Sequence, residues 1–471
     1  MVVGSLRQET DVAIIGAGPG GYVAALRAAD LGLDVLLIEE RSRPGGVCLL
    51  EGCIPSKTLI HAVDLIKSAR EAKDIGLTFG EVKIDRDRLL GFTNQVMSDL
   101  SGGIERLLKA RGVELIRGRA RFSSDHSLEI EGGDTAGVDF KHAIIATGSR
   151  INEVPTFYDV PVWSSADALK LPEIPKRLLV VGGGYIGLEM GLVYAGLGSQ
   201  VTVVEFNPRL LYGADPDLVQ VMVKNCAQSF HGILVDSKVV KVEKSSVGFV
   251  VDIEHDGSTS RSEYEQVLVA VGRKPNTDRM GLEELGIKTE GNPFLSVTPE
   301  GRTKIPHIFA IGDVTPGPML AHKASREGRV VAEVISGQSS AFDNRAIPAV
   351  VFTDPEIAWT GLTETEAAQE KLPVNVGRFP LSALGRARTL GRTEGFVKII
   401  SAPDTQLILG VGIVAPQASE LIAEGTLAIE MGATLEDLMN TIHPHPTLSE
   451  ALMEAAEVAA GASVHVTRKK S

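Results

Sequence analysis

Cysteine is scarce in this sequence: the 471-residue chain contains only Cys48, Cys53 and Cys226. An odd count this low cannot form a disulfide framework for so large a chain. We therefore expect a reducing compartment, which means a cytoplasmic protein, or a protein of the mitochondrial matrix if the source is eukaryotic. In such a compartment, a close cysteine pair is more often catalytic or metal-binding than structural.

Basic residues are also in deficit, because 47 Lys and Arg face 60 Asp and Glu and leave a net charge of −13. A surface of this sign repels phosphate backbones and anionic membranes, so we expect no nucleic-acid or membrane partner. The first ten residues, MVVGSLRQET, lack the pattern of a secretory signal. The longest apolar segment, residues 178–198, contains a glycine triplet and Glu189, which favour a strand, a turn and a buried helix over a membrane span.

Two segments of the chain repeat one another. Residues 10–40 and 176–206 each contain a branched apolar strand, a G-x-G-x-x-G turn, a helical stretch and a second strand that ends in an acid. Strand, turn, helix and acid in this order form the fingerprint of a dinucleotide site. The two copies have the acid at the same distance from the first glycine, and their key residues are Gly16, Gly18, Gly21 and Glu39, then Gly182, Gly184, Gly187 and Glu205.

The two acids predict which nucleotides can bind. Glu39 and Glu205 can accept hydrogen bonds from an unmodified ribose but would repel a 2′-phosphate, which favours NAD over NADP. Arg209 keeps NADP open as an alternative, and Glu40 could replace Glu39 in its role. Each acid could also be an ordinary carboxylate at a strand end. The spacing alone does not say which nucleotide binds to which copy.

The remaining sequence predicts two helices, from Pro55 to about Ala72 and from Arg86 to Arg111, and several strands that end in glycine turns. From Pro348 onward, strand and helix signals alternate as in a mixed antiparallel domain. The predicted fold is therefore α/β, with two Rossmann-like dinucleotide-binding domains and a C-terminal α+β domain.

The cysteine pair lies in GGVCLLEGCIPSK, residues 45–57. In a regular helix, residues five apart are separated by about 7.5 Å along the axis, beyond the ~7 Å limit of an unstrained disulfide, so Gly52 must distort the segment. A bridge over so short a loop would add only about 2 kcal/mol of stability. A helix starting at Pro55 would lower the thiol pKa of Cys53, which favours a redox-active pair. Two inert core cysteines, or a metal site with His61, remain alternatives, and isolated Cys226 is expected in the core.

This run resembles the active-site signature of the flavin-dependent pyridine nucleotide-disulfide oxidoreductases, and the resemblance extends over nearly the whole chain. The family pattern has Thr and Asn where this chain has Val47 and Leu50. The resemblance implies that the first fingerprint binds FAD and the second NAD, and that Cys48 and Cys53 are the redox-active disulfide. It implies further cofactor contacts at Gly148, Gly272, Gly312 and Asp313, the last holding the ribityl chain; the alternative for Asp313 is a turn-forming role.

The resemblance also implies a division into domains. We expect an FAD-binding part at 1–149, an NAD-binding domain at 150–275, a central domain that completes the FAD site at 276–345, and an interface domain for dimerisation at 346–471. A homodimer is expected because the family's base reaches the disulfide of the other subunit. No metal is expected.

A base is expected in HPHPTLSE, residues 443–450. An imidazole suits removal of a thiol proton near neutral pH. By resemblance the base is His445, oriented by Glu450, and His443 is interpreted as a loop residue. For Glu450 a competing interpretation is a capping box, with Thr447 as N-cap and Glu450 at N3 of the following helix.

Lys57 and Glu189 form a second expected pair. A carboxylate in an apolar helix needs a partner if it is buried. The resemblance places both residues beside the flavin, where Lys57 would stabilise negative charge on the reduced ring; Lys57 could instead be a solvated helix charge.

The reaction that the resemblance implies is oxidation of a protein-bound dihydrolipoyl group by NAD⁺ through the cysteine pair and FAD. The expected partners are the lipoyl domains of acyltransferases or of glycine-cleavage carrier proteins. Alternatives are another disulfide reductase, of the glutathione or mercuric type, and a flavin-binding structural subunit without turnover. Glu205 argues against the NADP-using reductases.

Overall fold

The first fingerprint lies in a seven-stranded sheet. In the computed structural model, which describes residues 6–287, 289 and 293–467, its strands are β1 (Leu6–Ile15), β2 (Val35–Glu39), β3 (Glu114–Arg117), β4 (Arg119–Ser124), β5 (Ser127–Glu131), β6 (Thr135–Ile145) and, much later in the chain, Ile308–Ala310. The order is β3-β2-β1-β6-β5-β4, and Ile308–Ala310 pairs in parallel with β6. The second half of β1, residues 12–15, and all of β2 are buried, and these segments are apolar except for Glu39 at the end of β2.

The second fingerprint lies in a five-stranded parallel sheet. The next strands are β7 (Ser149–Ile151), β8 (Trp163–Ser164), β9 (Arg177–Val181), β10 (Gln200–Val204), β11 (Gly232–Leu234), β12 (Ser237–Lys244), β13 (Phe249–His255), β14 (Ser258–Tyr264), β15 (Gln266–Val269), β16 (Arg273–Pro275) and β17 (Ile308–Ala310). The parallel order is β11-β10-β9-β15-β8. Strands β12–β14 form a separate antiparallel sheet, and β7 with β16 form a two-stranded ribbon that connects the two fingerprint units.

The C-terminal unit is an antiparallel sheet with helices packed on it. Its strands are β18 (Ala349–Val351), β19 (Glu356–Gly361), β20 (Asn375–Pro380), β21 (Phe396–Ser401) and β22 (Ile408–Ala415), in the order β18-β19-β22-β21-β20. This agrees with the mixed antiparallel domain predicted from Pro348 onward.

Helices cover these sheets and carry most of the predicted site. They are α1 (Pro19–Asp30), α2 (Gly46–Glu51), α3 (Cys53–Glu71), α4 (Arg86–Ala110), α5 (Ser165–Ala168), α6 (Tyr185–Leu197), α7 (Pro216–Ser229), α8 (Ala321–Ile335), α9 (Glu364–Glu370), α10 (Gly385–Thr389), α11 (Ala418–Met431), α12 (Leu435–Asn440) and α13 (Glu450–Ala459). Helix α3 begins at Cys53, ahead of the predicted Pro55, because Gly52 has a non-helical backbone and separates α2 from α3. Within the described part of the chain, no helix is long and apolar enough to cross a membrane.

A buried charge cluster joins the second fingerprint unit to the C-terminal sheet. Lys398 of β21 is 1% exposed, and its Nζ lies 2.8 Å from Asp215, 2.8 Å from Asp217 and 2.7 Å from Glu364. Asp215 also accepts from the N–H groups of Glu364 and Thr365 at 3.0 Å each. Burial alone would raise the pKa of Asp215, but the hydrogen bonds from Lys398 and Thr365 outweigh it and hold the pKa at about 2.

We predict that Lys398→Met lowers the free energy of unfolding by about 3 kcal/mol at neutral pH, because it leaves a buried carboxylate without its counter-charge. The pKa of Asp215 is depressed from its ordinary 3.8 to about 2. Its contribution is therefore present above pH 3.8 and is lost as the pH falls through about 2. Denaturant midpoints measured at several pH values test this. The exposed Lys224→Met on α7 is the control, and equal midpoints for the two variants would contradict the prediction.

Candidate functional site

A cavity of about 690 Å³ lies between the first sheet, α3 and α6. It brings together many of the residues singled out in the sequence, although they are far apart in the chain. The predicted site residues that line it are Gly16, Gly18, Glu39, Cys48, Cys53, Lys57, Gly148, Glu189, Gly312 and Asp313.

The first fingerprint has the geometry of a phosphate site. A Cβ on Gly21 would lie 1.8 Å from the carbonyl oxygen of Gly16, so α1 can pack against β1 only if residue 21 has no side chain. The N-terminus of α1 at Gly18 has no side-chain cap, and its N–H groups are free to meet an anion at the cavity. The residues thus fit the pyrophosphate of FAD.

Glu39 rather than Glu40 has the fixed position that a ribose contact requires. Glu39 is buried at the end of β2, and its carboxylate accepts the Ala17 N–H at 2.8 Å and the Arg41 N–H at 3.0 Å. Glu40 is exposed, although it also lines the cavity. These contacts favour Glu39 as the ribose acceptor.

The second fingerprint repeats this geometry outside the cavity. A Cβ on Gly187 would lie 2.0 Å from the Gly182 oxygen, and a Cβ on Gly184 would meet nothing within 4 Å. The α6 N-terminus has no side-chain cap, so the residues fit a second dinucleotide. Glu205 accepts the N–H of Gly183 at 2.6 Å and of Asn207 at 2.7 Å.

Two further predictions concern the surroundings of this second fingerprint. Arg209 packs on the ring of Tyr212 and donates to its carbonyl at 3.2 Å. Gly272 follows β15 with a φ of +102°. In the described part of the chain, neither Gly272 nor the key glycines and the acid of the second fingerprint line the cavity, whereas Tyr185 and Glu189 of α6 reach into it.

The two cysteines are hydrogen-bonded to each other inside the cavity. Cys48 lies in α2 and Cys53 is the first residue of α3, and both are free thiols. The hydrogen bond from Cys48, helped by the positive charge of nearby Lys57, lowers the pKa of Cys53 to about 7 against the effect of burial. The same hydrogen bond, together with burial, raises the pKa of Cys48. Cys53 is therefore the stabilised thiolate, while Cys48 keeps its proton.

Lys57 and Glu189 form an ion pair across the cavity wall. Glu189 is 3% exposed, and its Oε2 lies 2.7 Å from Lys57 Nζ. The other carboxylate oxygen accepts the N–H of Phe352 at 3.1 Å. The buried carboxylate therefore has a partner for each oxygen, and Lys57 is not a freely solvated helix charge.

Asp313 is held by a network that the sequence did not reveal. Its Oδ2 accepts the Ser149 hydroxyl at 2.5 Å, and the Gly312 N–H donates to Glu327 at 2.6 Å. Glu327 pairs at 2.8 Å with Lys323, which is buried one turn earlier on α8. The sequence does contain a signal for this pair: the lysine and the glutamate are four residues apart, each next to a small residue, Ala324 or Gly328.

His445 and Glu450 are in contact in the C-terminal unit. His445 Nδ1 lies 2.9 Å from Glu450 Oε1, and Glu450 Oε2 accepts the Thr447 N–H at 2.7 Å. Although burial acts in the opposite direction, these two hydrogen bonds lower the pKa of Glu450 and keep it ionised at neutral pH. Glu450 can therefore orient the imidazole and hold the loop at the same time.

The capping box proposed for Thr447 and Glu450 is only half correct. Helix α13 begins at Glu450 itself, and the Thr447 hydroxyl donates to the carbonyl of Pro444 at 2.8 Å rather than capping the helix. The neighbouring His443 is a loop residue, as interpreted, but it is buried and lies 2.7 Å from Glu424. It anchors the loop that carries His445.

The base and the cysteines do not meet within one chain. The His445 side chain is 76% exposed, and neither it nor Glu450 is among the described residues that line the cavity. A second chain is therefore needed if this imidazole is to reach the sulfur atoms.

Comparison with known families agrees with this geometry. Residues 10–328 match the pyridine nucleotide-disulphide oxidoreductase family, and residues 347–456 match its dimerisation domain. The chain belongs to the pyridine nucleotide-disulphide oxidoreductase family. The match to the dimerisation domain supports the expected homodimer.

Within that family, the chain is similar to curated dihydrolipoyl dehydrogenases. The chain is 48% identical to the dihydrolipoyl dehydrogenase of Halobacterium salinarum and 45% identical to that of Geobacillus stearothermophilus, in each case over all of both chains. The solved structure of LpdA from Mycobacterium tuberculosis superimposes with a TM-score of 0.87 at 29% identity, covering 96% of this chain and 99% of that one. The HOCl-induced flavoprotein disulfide reductase RclA from Escherichia coli has a TM-score of 0.83 at 26% identity over 96% and 99% of the two chains.

These comparisons confirm the predicted fold class, the family, the dihydrolipoamide-oxidising activity and the cofactors FAD and NAD. They do not test the individual site residues or the domain boundaries, which stay predictions. They also leave open which lipoyl-bearing complex the protein serves.

We predict that the alkylation rate of Cys53 in the reduced protein rises with pH around a midpoint near 7, because only the thiolate reacts. Cys48→Ala should move this midpoint upward, since the hydrogen bond that stabilises the thiolate is removed. Iodoacetamide labelling with peptide mapping measures both midpoints. Cys226→Ala is the control, and an unchanged midpoint in Cys48→Ala would show that the hydrogen bond does not control the thiolate.

Proposed function

We propose that the protein oxidises dihydrolipoyl groups carried by protein domains, with Cys48 and Cys53 as the exchanging disulfide and NAD⁺ as the final acceptor. The observation that carries the proposal is that the cysteine pair and the first fingerprint line one cavity. A thiol pair beside a dinucleotide cradle suits electron transfer between sulfur and a bound cofactor. FAD, when bound, supplies the two-electron carrier between the cysteines and NAD⁺.

The sulfur chemistry is assigned to residues by their environment. His445 removes a proton from one substrate thiol, and the resulting thiolate attacks Cys48 of the Cys48–Cys53 disulfide. The bond between the cysteines breaks, and Cys53 leaves as a thiolate. The second substrate thiol then attacks the mixed disulfide and releases Cys48, which takes up the second proton. The substrate loses two electrons and two protons and becomes the cyclic disulfide.

The environments of the two sulfur atoms suit this division of roles. Cys53 is the better leaving group because its pKa is lowered to about 7. Cys48, whose pKa is raised, ends as the protonated thiol. Lys57 faces the same cavity and would balance negative charge there, and Glu189 fixes its position.

The substrate side requires two copies of the chain. We assign the cysteines of one subunit and His445 with Glu450 of the other to each site, since His445 is exposed and the dimerisation domain contains it. The proposed partners are therefore a second copy and the lipoyl domains of an acyltransferase or a glycine-cleavage carrier protein. The proposed compartment is the cytoplasm, because three cysteines are too few for a structural disulfide framework in a chain of this length.

The direct test is turnover of dihydrolipoamide with NAD⁺ by the FAD-loaded protein. We predict that Cys48→Ser abolishes turnover but keeps bound, yellow flavin, because the nucleotide cradle is untouched. Cys226→Ala, which removes a distant buried thiol, should keep turnover near the wild-type value. Wild-type protein that binds FAD but leaves dihydrolipoamide unoxidised would disprove the proposed function.

A second test addresses the shared site. Cys48→Ser and His445→Ala should each be inactive alone, but the mixed dimers formed by their co-expression should have about half of the wild-type activity, because one of the two sites in each mixed two-fold dimer is intact. Activity is measured on separately tagged, doubly purified dimers. If mixed dimers stay inactive while the wild type turns over, each chain must use its own histidine.

A further inference from the structure

Phe352 contacts both members of the Lys57–Glu189 pair. It lies in the turn between β18 and β19, in the C-terminal unit. The Lys57 Nζ lies 4.4 Å from the centroid of the Phe352 ring, and the Phe352 N–H donates to Glu189 Oε1 at 3.1 Å. Phe352 of the C-terminal unit thus contacts both Lys57 of α3 and Glu189 of α6.

The turn that carries Phe352 is itself fixed on both sides. The buried Thr353 donates its hydroxyl to the Pro355 carbonyl at 2.8 Å. Asp354 forms ion pairs with Lys67 of α3 and with Arg392. Because Lys67 is on the helix that begins with Cys53, the ring position is set relative to the reactive sulfur.

The ring face attracts the ammonium group without neutralising it. Cation–π attraction is worth about 0.5–1 kcal/mol at a partly exposed site. A second carboxylate in place of the ring would also hold Lys57, but it would cancel the positive charge that reaches the cavity. The Phe352 ring therefore holds the Lys57 ammonium group in place without cancelling its positive charge, which can still stabilise a thiolate at Cys53.

We propose that Phe352 is a positioning residue that holds the Lys57 ammonium where it stabilises the Cys53 thiolate, so that the C-terminal unit tunes the reactive sulfur of its own chain. This inference rests on the proposed function for the role of that thiolate in turnover. The contacts that carry it are independent of any substrate.

Several other groups act on the same region and are kept unchanged in the single variants of Phe352 and Phe396. Lys57, Glu189 and Cys48 act on Cys53 directly, and Tyr185 is close enough to interact with Cys53 and Glu189. The groups that face this part of the cavity are Cys48, Lys57, Tyr185, Glu189, Arg273 and Asp313. Phe352 adds no titratable group, so its replacement changes position and not charge.

The experiment measures the pH midpoint of Cys53 alkylation in reduced, FAD-loaded protein. Phe352→Leu keeps an apolar side chain and the backbone N–H but removes the ring face, and it should raise the midpoint by up to about 0.5 pH units. Phe352→Tyr keeps the ring and should leave the midpoint at the wild-type value. Phe396→Leu, at a partly buried phenylalanine of the same unit, is the matched control for loosened packing.

Two outcomes would overturn the inference. One is an unchanged midpoint in Phe352→Leu, and the other is an equal shift in Phe396→Leu, which would indicate general loosening. In a Lys57→Met background, Phe352→Leu should shift nothing further, and a persisting shift would mean that the ring acts by another route. Dihydrolipoamide turnover is assayed in parallel, so failure of the proposed function is seen in the wild type and failure of the inference only in the variants.

Discussion

The ion pair between Lys57 and Glu189 is the contact on which the arrangement of the site depends. It links α3, which carries Cys53, to α6, which starts at the second fingerprint. A buried carboxylate is costly without partners, so Glu189 can lie at this position only when Lys57 and the Phe352 N–H are both in place. The same contacts that satisfy Glu189 therefore fix the distance between the sulfur region and the second nucleotide unit.

Several of the ion pairs in this molecule lie at boundaries between units of the fold. The Lys398 cluster joins the second fingerprint unit to the C-terminal sheet, and Asp354 joins that sheet to α3. An ion pair requires a specific geometry, whereas apolar surfaces can slide with little loss. Charges at these boundaries therefore add contacts of specific geometry to the apolar packing that also joins the units.

Local sequence determined much of the site, and distant contacts determined the rest. The glycines of both fingerprints could be predicted because turn, helix packing and phosphate approach depend on neighbouring residues. The start of α3 was missed because Gly52, and not Pro55, ends the preceding helix. The role of Phe352, the partner of His443 and the direction of the Thr447 contact depend on residues far away in the sequence or on the exact helix start, which no local pattern contains.

The loop around His445 is already ordered in the single chain, although its imidazole is exposed. Glu450, Thr447 and the His443–Glu424 pair hold its backbone before any other surface covers it. Assembly of two chains therefore joins preorganised surfaces and loses little conformational entropy at this loop. The orientation of the His445 imidazole is set when each chain folds. Association of two chains then only needs to bring this imidazole to the cysteine pair of the other subunit.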